Sequence, residues 1–378
     1  MKPISSLVND KVNNLKPCVH GGEVLDAAGK TGLGREEILD FSSSVNPLGT
    51  SRKALKAVKA GFGQIAAYPD TNSNELRTAI ANHYQGIDKS NVVVGNGSTE
   101  LMYLFAEAFV KKGDVAVIPA PTFGEYESAV RKAGEEPKFV RLDRDFRVDL
   151  DSFKKGMAGA KIVFFCNPNN PTSMLTPTKQ LTEIIESALE QDSLVFLDED
   201  FLEFVESEKA LSMIGKIKKF PNLFILRSFT KIYGLTGLRV GYGIASKEII
   251  DVLLCSKIPW NVNCLAQTAA IAALNDEEHL QRTLKLVKEE KAFLLSGLNK
   301  IKGFKVYRPD ANFFFIDVRQ SGLTSAQLTE KMLSQGILIR DCSSFKGLDE
   351  YYVRVAVKTH GENERLLKAF EGIVKSDA

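Results

Sequence analysis

One lysine of the sequence has neighbours that suit covalent chemistry. Lys231 lies in the segment RSFTKIYGLTGLRVGYG, three residues after Ser228 and eight residues before Arg239. Burial and nearby positive charge both lower the pKa of a lysine, and its neutral amine can attack an aldehyde. A serine hydroxyl and an arginine guanidinium can together bind a phosphate. The segment therefore indicates a lysine that reacts with the aldehyde of a phosphorylated ligand.

Polar or aromatic residues also follow four other short apolar runs of the chain. The segments are GNGST (95–99), PTF (121–123), CNPNNPTS (166–173) and LDEDF (197–201). A buried carboxylate such as Asp198 needs a cationic partner, which a protonated pyridine nitrogen would supply. Asn170 can donate to a phenolate oxygen, and Phe123 can stack on a flat ring. Together with Lys231, these groups match the aldehyde, phenolate, pyridine nitrogen and phosphate of pyridoxal 5′-phosphate.

The GNGST segment indicates a further part of a phosphate site. It follows the apolar run VVV (92–94) and begins a helical pattern. The backbone N–H groups of Gly97, Ser98 and Thr99 would therefore point at one place. The segment is not a dinucleotide-binding fingerprint, because the position of the third glycine is Glu100. We expect these N–H groups, with the serine and arginine named above, to bind the cofactor phosphate.

Elements that could position these residues alternate along most of the chain. Apolar runs such as VAVI (115–118), KIVFFC (161–166) and LFILRS (223–228) are each followed or preceded by stretches of helical periodicity. Short apolar strands bounded by helices indicate a parallel sheet that is covered on both faces. Ligands of such sheets bind at the carboxyl ends of the strands, where the polar segments lie.

The pattern changes after about residue 275, where a long charged helix precedes several short strands. We expect a large cofactor-binding domain over residues 51–275 and a small α+β domain over residues 276–378. Residues 1–50 are expected to pack with the small domain.

Composition and charge exclude several classes of function. The chain has 378 residues, a net charge of +2 and 44% hydrophobic residues, so it has no strong overall field for nucleic acid or an anionic membrane. No apolar run approaches the roughly 18 residues that span a bilayer. The five cysteines are scattered and suit free thiols. We expect a soluble cytoplasmic protein with no metal site.

The motifs, taken together, resemble one enzyme family. The SxxK and GLxGLRxGY patterns, NPNNPT, and Asp198 in DED resemble the fold-type-I pyridoxal-phosphate enzymes of the aminotransferase class I/II group. The resemblance implies an aspartate-aminotransferase-like α/β fold, with a mostly parallel seven-stranded sheet between helices and a smaller α+β domain. It also implies a homodimer with shared active sites, in which Tyr68 would reach the cofactor phosphate of the partner subunit.

Within that group, several segments resemble the L-threonine-O-3-phosphate decarboxylases. They are HGGEVLDAA (20–28), LDFSSSVNPLG (39–49), KIPWNVNCLA (257–266) and LIRDCSSFKGLDEYYVRVAV (338–357). Phe201 agrees with this resemblance, since the aminotransferases of the group usually carry a tyrosine there that hydrogen-bonds the cofactor phenolate. The expected reaction is therefore decarboxylation of O-phospho-L-threonine to (R)-1-aminopropan-2-yl phosphate, in cobalamin biosynthesis.

The same resemblance gives positions for binding the substrate. Arg354 and Asn170 would bind its carboxylate, and Arg340 and His20 its phosphate, although the two arginines could be exchanged. Gly21 and Ser44 complete the predicted substrate site.

Two departures from the family pattern leave alternatives open. Ser173 replaces the glycine of NPTG. Ser44 replaces a substrate-contacting asparagine of the decarboxylases, and its shorter side chain makes phosphoserine another possible substrate. An aminotransferase acting on histidinol phosphate or on an aromatic amino acid is the main alternative reaction. A binding protein that retains the fold without catalysis is a third hypothesis.

Overall fold

The structure, a computed structural model, describes residues 3–9 and 15–376 of the chain. The remaining residues of the predicted N-terminal segment, 1–2 and 10–14, lie outside the described residues. A seven-stranded sheet is at the centre of the larger part of the molecule, and its strands have the order β2-β8-β7-β6-β5-β3-β4. They are β2 (Val92–Gly95), β3 (Ala116–Ala120), β4 (Lys138–Arg141), β5 (Ile162–Cys166), β6 (Leu194–Asp198), β7 (Leu223–Ser228) and β8 (Gly241–Ala245).

Only β8 in this sheet is antiparallel to its neighbours, β2 and β7, and the other pairs are parallel. The prediction of an α/β fold with a mostly parallel seven-stranded sheet is therefore confirmed. The smaller unit contains a four-stranded antiparallel sheet of order β12-β13-β10-β9 and a two-stranded parallel sheet, β1-β11. Its strands are β1 (Leu39–Asp40), β9 (Lys305–Tyr307), β10 (Phe313–Asp317), β11 (Ile337–Leu338), β12 (Arg340–Asp341) and β13 (Tyr352–Ala356).

Helices lie against both faces of the large sheet and beside the small one. The helices before the end of the large sheet are α1 (Val24–Thr31), α2 (Arg52–Ala60), α3 (Asn74–His83), α4 (Ser98–Phe109), α5 (Glu125–Ala133), α6 (Leu150–Gly156), α7 (Thr178–Leu189) and α8 (Glu208–Leu211). Those after it are α9 (Lys247–Ser256), α10 (Cys264–Leu274), α11 (Glu277–Leu298), α12 (Ser325–Leu333) and α13 (His360–Ser376). In the described part of the chain, no helix is long and apolar enough to cross a membrane.

Strand β5 shows why its apolar run has no polar alternation. Ile162 and Phe164 belong to one buried cluster, and Val163 and Phe165 belong to another on the opposite face. Successive strand side chains point to opposite faces, so a strand covered on both sides must be apolar throughout. This two-sided core fixes the strand ends, and with them the polar residues that follow each strand.

The N-terminal segment contacts the small unit at several places. Strand β1 pairs with β11, and the carbonyl of the buried Phe41 accepts a hydrogen bond from Ala356 N–H at 2.8 Å. The segment also contacts the large sheet, because Asn46 N–H donates to the Lys231 carbonyl at 3.0 Å. Residues 39–46 therefore lie between the two units. The exact division into domains stays a prediction.

Candidate active site

A cavity of about 710 Å³ lies at the carboxyl ends of the strands of the large sheet. Its volume suits a small ligand together with a cofactor. It brings together most of the residues that the sequence singled out, although they are far apart in the chain. The predicted residues in its lining are His20, Gly21, Ser44, Thr99, Phe123, Asn170, Phe201, Lys231, Arg239, Arg340 and Arg354.

Lys231 projects into this cavity from the turn after β7. Its Nζ lies 5.6 Å from the centre of the Phe201 ring. Burial lowers the pKa of Lys231, and the charges of Arg354 and Arg239 lower it further, whereas Asp200 and Asp198 oppose the change. A neutral amine is the form that attacks an aldehyde, so this environment favours the predicted chemistry.

Asp198 lies at the last position of β6 and is 3% exposed. Its Oδ2 accepts a hydrogen bond from the Tyr126 hydroxyl at 2.6 Å, and its Oδ1 accepts one from Asp200 N–H at 2.9 Å. Burial, with repulsion from Asp200, raises the pKa of Asp198 to about 7. The carboxylate would gain from a cationic partner such as a protonated pyridine nitrogen.

The start of α4 and the end of the turn after Lys231 form a close-packed cradle. A Cβ atom built on Gly97, which has φ +84°, would lie 2.5 Å from Arg239 Nη2. A Cβ atom on Gly241 would lie 2.5 Å from the backbone nitrogen of Ser98. Only glycine allows these approaches, which bring the guanidinium next to the N–H groups of a helix N-terminus.

Ser228 completes this region from the end of β7. It is fully buried, and its Oγ accepts a hydrogen bond from Thr230 N–H at 3.0 Å. The cradle thus combines helix N–H groups, a hydroxyl and a guanidinium, which is a suitable set for a phosphate dianion.

Arg354 lies on β13 and enters the same cavity. Its Nη2 donates to the Ser42 carbonyl at 2.7 Å, and its Nη1 donates to the Asn170 side-chain oxygen. The Asn170 NH₂ group is therefore the side of the amide that can donate to an anion. Burial lowers the pKa of Arg354 to about 10, and its buried Nε has no hydrogen-bond partner among the described residues.

Arg340 lies on β12 and is 6% exposed. Its Nη2 donates to the Val19 carbonyl at 2.7 Å and to Ser344 Oγ at 2.9 Å, and its Nη1 is 3.5 Å from the His20 carbonyl. Burial lowers the pKa of Arg340. This arginine therefore ties the N-terminal segment to the wall of the cavity.

His20 is positioned by a carboxylate that the sequence analysis did not identify. His20 Nε2 lies 2.8 Å from Glu125 Oε1, and the Tyr103 hydroxyl donates to Glu125 Oε2 at 2.5 Å. The neighbouring Gly21 packs closely against the backbone of Ser42, since a Cβ atom on it would lie 2.3 Å from the Ser42 carbonyl oxygen. Glycine at 21 thus allows the segment to enter the cavity.

The remaining predicted residues are placed as follows. Ser44 is 2% exposed, and its Oγ has no hydrogen-bond partner in the described residues. Phe123 projects from the turn before α5 and lies edge-on to Tyr126, with ring centres 5.7 Å apart. Phe201 packs edge-on against Phe313 at 4.9 Å, within the apolar core.

Ser173 shows why this position of the loop is usually glycine. Its φ is +64°, in the left-handed region, and its Oγ accepts a hydrogen bond from Ala311 N–H at 3.0 Å. The serine thus has a strained backbone but gains a contact that glycine lacks. The replacement reflects local packing, and it does not by itself identify another substrate.

Tyr68 is the one predicted residue that lies away from the cavity lining and its immediate surroundings. It is 80% exposed and stacks on Trp260, with ring centres 4.6 Å apart. Within its own chain it therefore does not line the site.

The residues fit pyridoxal 5′-phosphate by their chemistry. Lys231, whose pKa is lowered, and Arg354, whose Nε has no partner among the described residues, line the cavity. The buried carboxylate of Asp198 lies near Lys231, and the glycine cradle packs against Arg239 in the cavity wall. Sequence reasoning missed Tyr126, Glu125 and Asp200. A signal for Tyr126 exists, because it lies only three residues after Phe123, which the PTF segment had already indicated as a site residue.

Comparisons with known proteins agree with this arrangement. The sequence profile of the family "Aminotransferase class I and II" matches residues 36–370. The histidinol-phosphate aminotransferase of Methanosphaera stadtmanae is 34% identical over 96% of this chain and 97% of its own length. Further relatives of the same name are 32–35% identical.

Two solved structures are also similar. That of the histidinol-phosphate aminotransferase from Clostridium acetobutylicum is 32% identical, with a TM-score of 0.84 over 90% of this chain and 100% of the other. That of the L-threonine-O-3-phosphate decarboxylase from Porphyromonas gingivalis is 29% identical, with a TM-score of 0.79 over 89% and 99%.

These matches overturn the expected reaction. The prediction of O-phospho-L-threonine decarboxylation, with its link to cobalamin biosynthesis, is wrong, because the relatives at 32–35% identity are aminotransferases. Phe201 therefore does not identify a decarboxylase. Its ring packs against Phe313 in the core, so the residue type at position 201 depends on packing as well as on the reaction.

Proposed function

The chain belongs to the aminotransferase class I and II family and uses pyridoxal 5′-phosphate, and from this premise we propose that it transfers the amino group of histidinol phosphate to a 2-oxo acid. The proposal rests on the named relatives and on the chemistry of the cavity wall. The phosphate of one substrate and the carboxylates of the other are the anions that the site must accept.

The observation that carries the proposal is a pair of buried arginines without acidic partners. In the described part of the chain, Arg340 and Arg354 donate to backbone carbonyls, a serine hydroxyl and an amide oxygen, and neither forms an ion pair with a carboxylate. A buried cation without a partner is unfavourable by several kcal/mol, and an anionic ligand would remove that penalty. Both side chains line the cavity, so substrates with a phosphate or carboxylate complete the site.

We assign the two arginines to different anions. Arg354, with Asn170 beside it, is the deeper group and would bind the carboxylate of the 2-oxo acid. Arg340 lies nearer the mouth, next to the backbone of Val19 and His20, and would bind the phosphate of histidinol phosphate. His20 would assist it, since the contact with Glu125 holds its imidazole at the wall of the cavity.

The cofactor residues have separate roles in this proposal. Pyridoxal 5′-phosphate supplies the electron sink that makes the amine-bearing carbon of the substrate acidic. Asp198 would bind the pyridine nitrogen, and the Tyr126 hydroxyl fixes the position of that carboxylate. Asn170 would donate to the phenolate oxygen. Phe123 would stack on one face of the ring.

The remaining residues would bind the cofactor phosphate and transfer the proton. Gly97, Ser98 and Thr99, with Ser228 and Arg239, would bind the cofactor phosphate. Lys231 would bind the aldehyde carbon and, once displaced by substrate, accept the proton from the amine-bearing carbon. Burial favours this, because a lysine with a lowered pKa can act as a base near neutral pH.

We also propose a homodimer with shared active sites. Two exposed apolar segments, 62–68 and 258–260, meet where Tyr68 stacks on Trp260. A large exposed apolar surface of this kind is typical of a subunit interface. In the dimer, the Tyr68 hydroxyl would reach the cofactor phosphate of the partner subunit. The cytoplasmic location suggested by the cysteines stays a prediction.

A parallel assay of amino donors tests the proposed reaction. The protein loaded with cofactor is incubated with 2-oxoglutarate and histidinol phosphate, an aromatic amino acid or phosphoserine, and glutamate is measured. We expect kcat/KM for histidinol phosphate to exceed the others by at least about 100-fold, because only this donor combines the phosphate with an amine that lacks a neighbouring carboxylate. Greater activity with the aromatic amino acid would replace the proposal by its alternative.

A further inference from the structure

The carboxylate of Asp200 has no role in the site described above, although it lies near Lys231. Asp200 is 7% exposed, and its Oδ1 has no hydrogen-bond partner among the described residues. A buried and incompletely bonded carboxylate is unfavourable, so its position requires an explanation.

The three acidic residues at the end of β6 point in alternating directions. Glu199 points away from the cavity and pairs with the fully buried Arg227, whose Nη2 lies 2.7 Å from Glu199 Oε2. The Asp200 carboxylate instead lies beside the Ser228 hydroxyl and near Lys231, and its N–H donates to Asp198 Oδ1 at 2.9 Å. Two carboxylates of the DED segment are thus on the side of Lys231.

The register of the sheet brings Asp200 level with the start of the lysine turn. Asp198 is opposite Leu226 in the parallel β6–β7 pair, and Glu199 N–H donates to the Leu226 carbonyl at 3.0 Å. Two residues further along, Asp200 is level with Ser228, after which the chain turns to Lys231. Lys231 Nζ in turn lies over the ring of Phe201, the residue next to Asp200.

We propose that the Asp200 carboxylate is the charge partner of the Lys231 amine and stabilises its ammonium form. Asp200 is a positioning residue in this account, because it acts through the lysine. When Lys231 removes a proton from the substrate, a C–H bond breaks, an N–H bond forms on the lysine, and the electron pair stays with the substrate carbon. The new positive charge would be stabilised by Asp200. This catalytic part rests on the proposed function.

The electrostatic surroundings agree with this pairing. Among the charged groups that act on the pKa of Lys231, Asp200 ranks first after burial and raises the pKa, opposing Arg354 and Arg239. Burial raises the pKa of Asp200, and Lys231 is the first of the positive charges that oppose the rise. The ionisable groups that face Asp200 are Cys166, Asp198, Glu203, Arg227, Lys231 and Arg239.

Labelling of the cofactor-free protein tests the pairing without reference to any substrate. The protein is treated briefly with acetic anhydride at a series of pH values, and the acetylated fraction of Lys231 is measured by peptide mass spectrometry. Half-buried Lys257 serves as an internal reference. In Asp200→Asn the pH of half-maximal reactivity of Lys231 should fall by about one unit, because the removed negative charge favoured the ammonium form.

The matched control is Glu203→Gln. Glu203 is a buried acid five residues after Asp198, but it faces Arg227, and burial raises its pKa to about 8. Its carboxyl group pairs with Arg227 and not with Lys231, so its replacement should leave the Lys231 midpoint unchanged. If Asp200→Asn does not fold, judged by circular dichroism, Asp200→Ser is used. An unchanged Lys231 midpoint in the folded variant would overturn the pairing, whatever the substrate.

Kinetics of the loaded enzyme supply a second measurement. In Asp200→Asn we expect kcat to fall about tenfold with KM changed less than about threefold, since the interaction acts on proton transfer and not on binding. The limb of the pH–kcat profile that reports Lys231 should shift in the same direction as the labelling midpoint. Equal losses at all pH values would indicate a purely structural role and would contradict the proposal.

Discussion

Arg340 and Arg354 lie directly opposite each other on neighbouring antiparallel strands. Like charges at such a position repel one another, and here both groups are more than nine-tenths buried. Their guanidinium groups nevertheless make different contacts, that of Arg340 with Val19 and Ser344 and that of Arg354 with Asn170 and Ser42. The arrangement is readily explained if each arginine binds its own substrate anion.

Substitution of the two arginines should separate the substrates. Arg340→Gln should raise KM for histidinol phosphate about 10- to 100-fold and affect 2-oxoglutarate less, because loss of one charged contact is worth roughly 1.5–3 kcal/mol. Arg354→Gln should do the reverse. Steady-state kinetics with each substrate varied in turn measures both effects. If the two variants exchange their effects, the assignment of carboxylate and phosphate is reversed. Equal effects on both substrates would contradict separate anion sites.

The raised pKa of Asp198 predicts a pH-dependent stability of the cofactor-free protein. Its pKa is about 7 in the folded protein and 3.8 ordinarily. Between these values the folded state binds more protons than the unfolded state, so the free energy of unfolding falls as pH rises. From pH 5 to pH 8, wild type should lose about 2 kcal/mol more than Asp198→Asn, which cannot ionise.

Urea unfolding at the two pH values measures this difference. Asp192→Asn, at an exposed turn, is the control and should keep the slope of the wild type. Because Asp198 and Asp200 repel each other, the transition belongs to the pair, and part of it should remain in Asp198→Asn. Identical slopes in all three proteins would show that no such buried acid titrates.

Tyr68 is expected to act across the dimer interface, and mixed dimers test this. Lys231→Ala and Tyr68→Ala proteins are co-expressed with different tags, and the hybrid is purified. If Tyr68 serves the site of the other subunit, each hybrid has one site with both substitutions and one intact site. Its activity should then be about half that of the wild-type dimer.

The result is different if Tyr68 serves its own chain. Each site of the hybrid would then carry one substitution, and no activity above that of the Tyr68→Ala site would be recovered. Sedimentation of the separate variants checks that both form dimers. A wild-type protein that sediments as a monomer would contradict the shared site altogether.

Ser173 allows a paired test of backbone strain and hydrogen bonding. Ser173→Ala keeps the left-handed backbone but removes the acceptor for the Ala311 N–H group, so it should destabilise the protein by about 1–2 kcal/mol. Ser173→Gly removes the same acceptor but relieves about 1 kcal/mol of strain. Urea unfolding should therefore place glycine between serine and alanine. An alanine variant as stable as the glycine variant would show that φ +64° is not strained here.

The sheet could be predicted from the sequence because it depends on local patterns, and the same patterns place the residues that we expect to bind the cofactor. Apolar runs such as that of β5 indicate a sheet with two covered faces. Asp198, Lys231 and Arg239 stand at strand or turn positions that parallel topology brings to one edge. The positions of Tyr126 and Glu125 could not be predicted in the same way, because they depend on how α5 packs against β6 and on where residues 18–21 cross the cavity.

The reaction was harder to predict than the cofactor site. Phe201 suggested a decarboxylase, yet its ring packs against Phe313, which no local pattern connects to it. The position of Asp200 could not be predicted from its segment, because it depends on how three consecutive acidic residues pack around Arg227 and Lys231. Substrate choice depends on small differences among anion-binding groups that related enzymes share. These differences arise from contacts between residues that are distant in the sequence.

Transfer of labelled nitrogen measures the central claim most directly. Histidinol phosphate with isotopically labelled amino nitrogen is incubated with 2-oxoglutarate and the loaded protein, and the glutamate formed is analysed by mass spectrometry. We predict that the label appears in glutamate in a one-to-one ratio with the histidinol phosphate consumed, and that Lys231→Ala forms at least about 10³-fold less. Consumption of histidinol phosphate without labelled glutamate, or undiminished transfer by Lys231→Ala, would contradict the account.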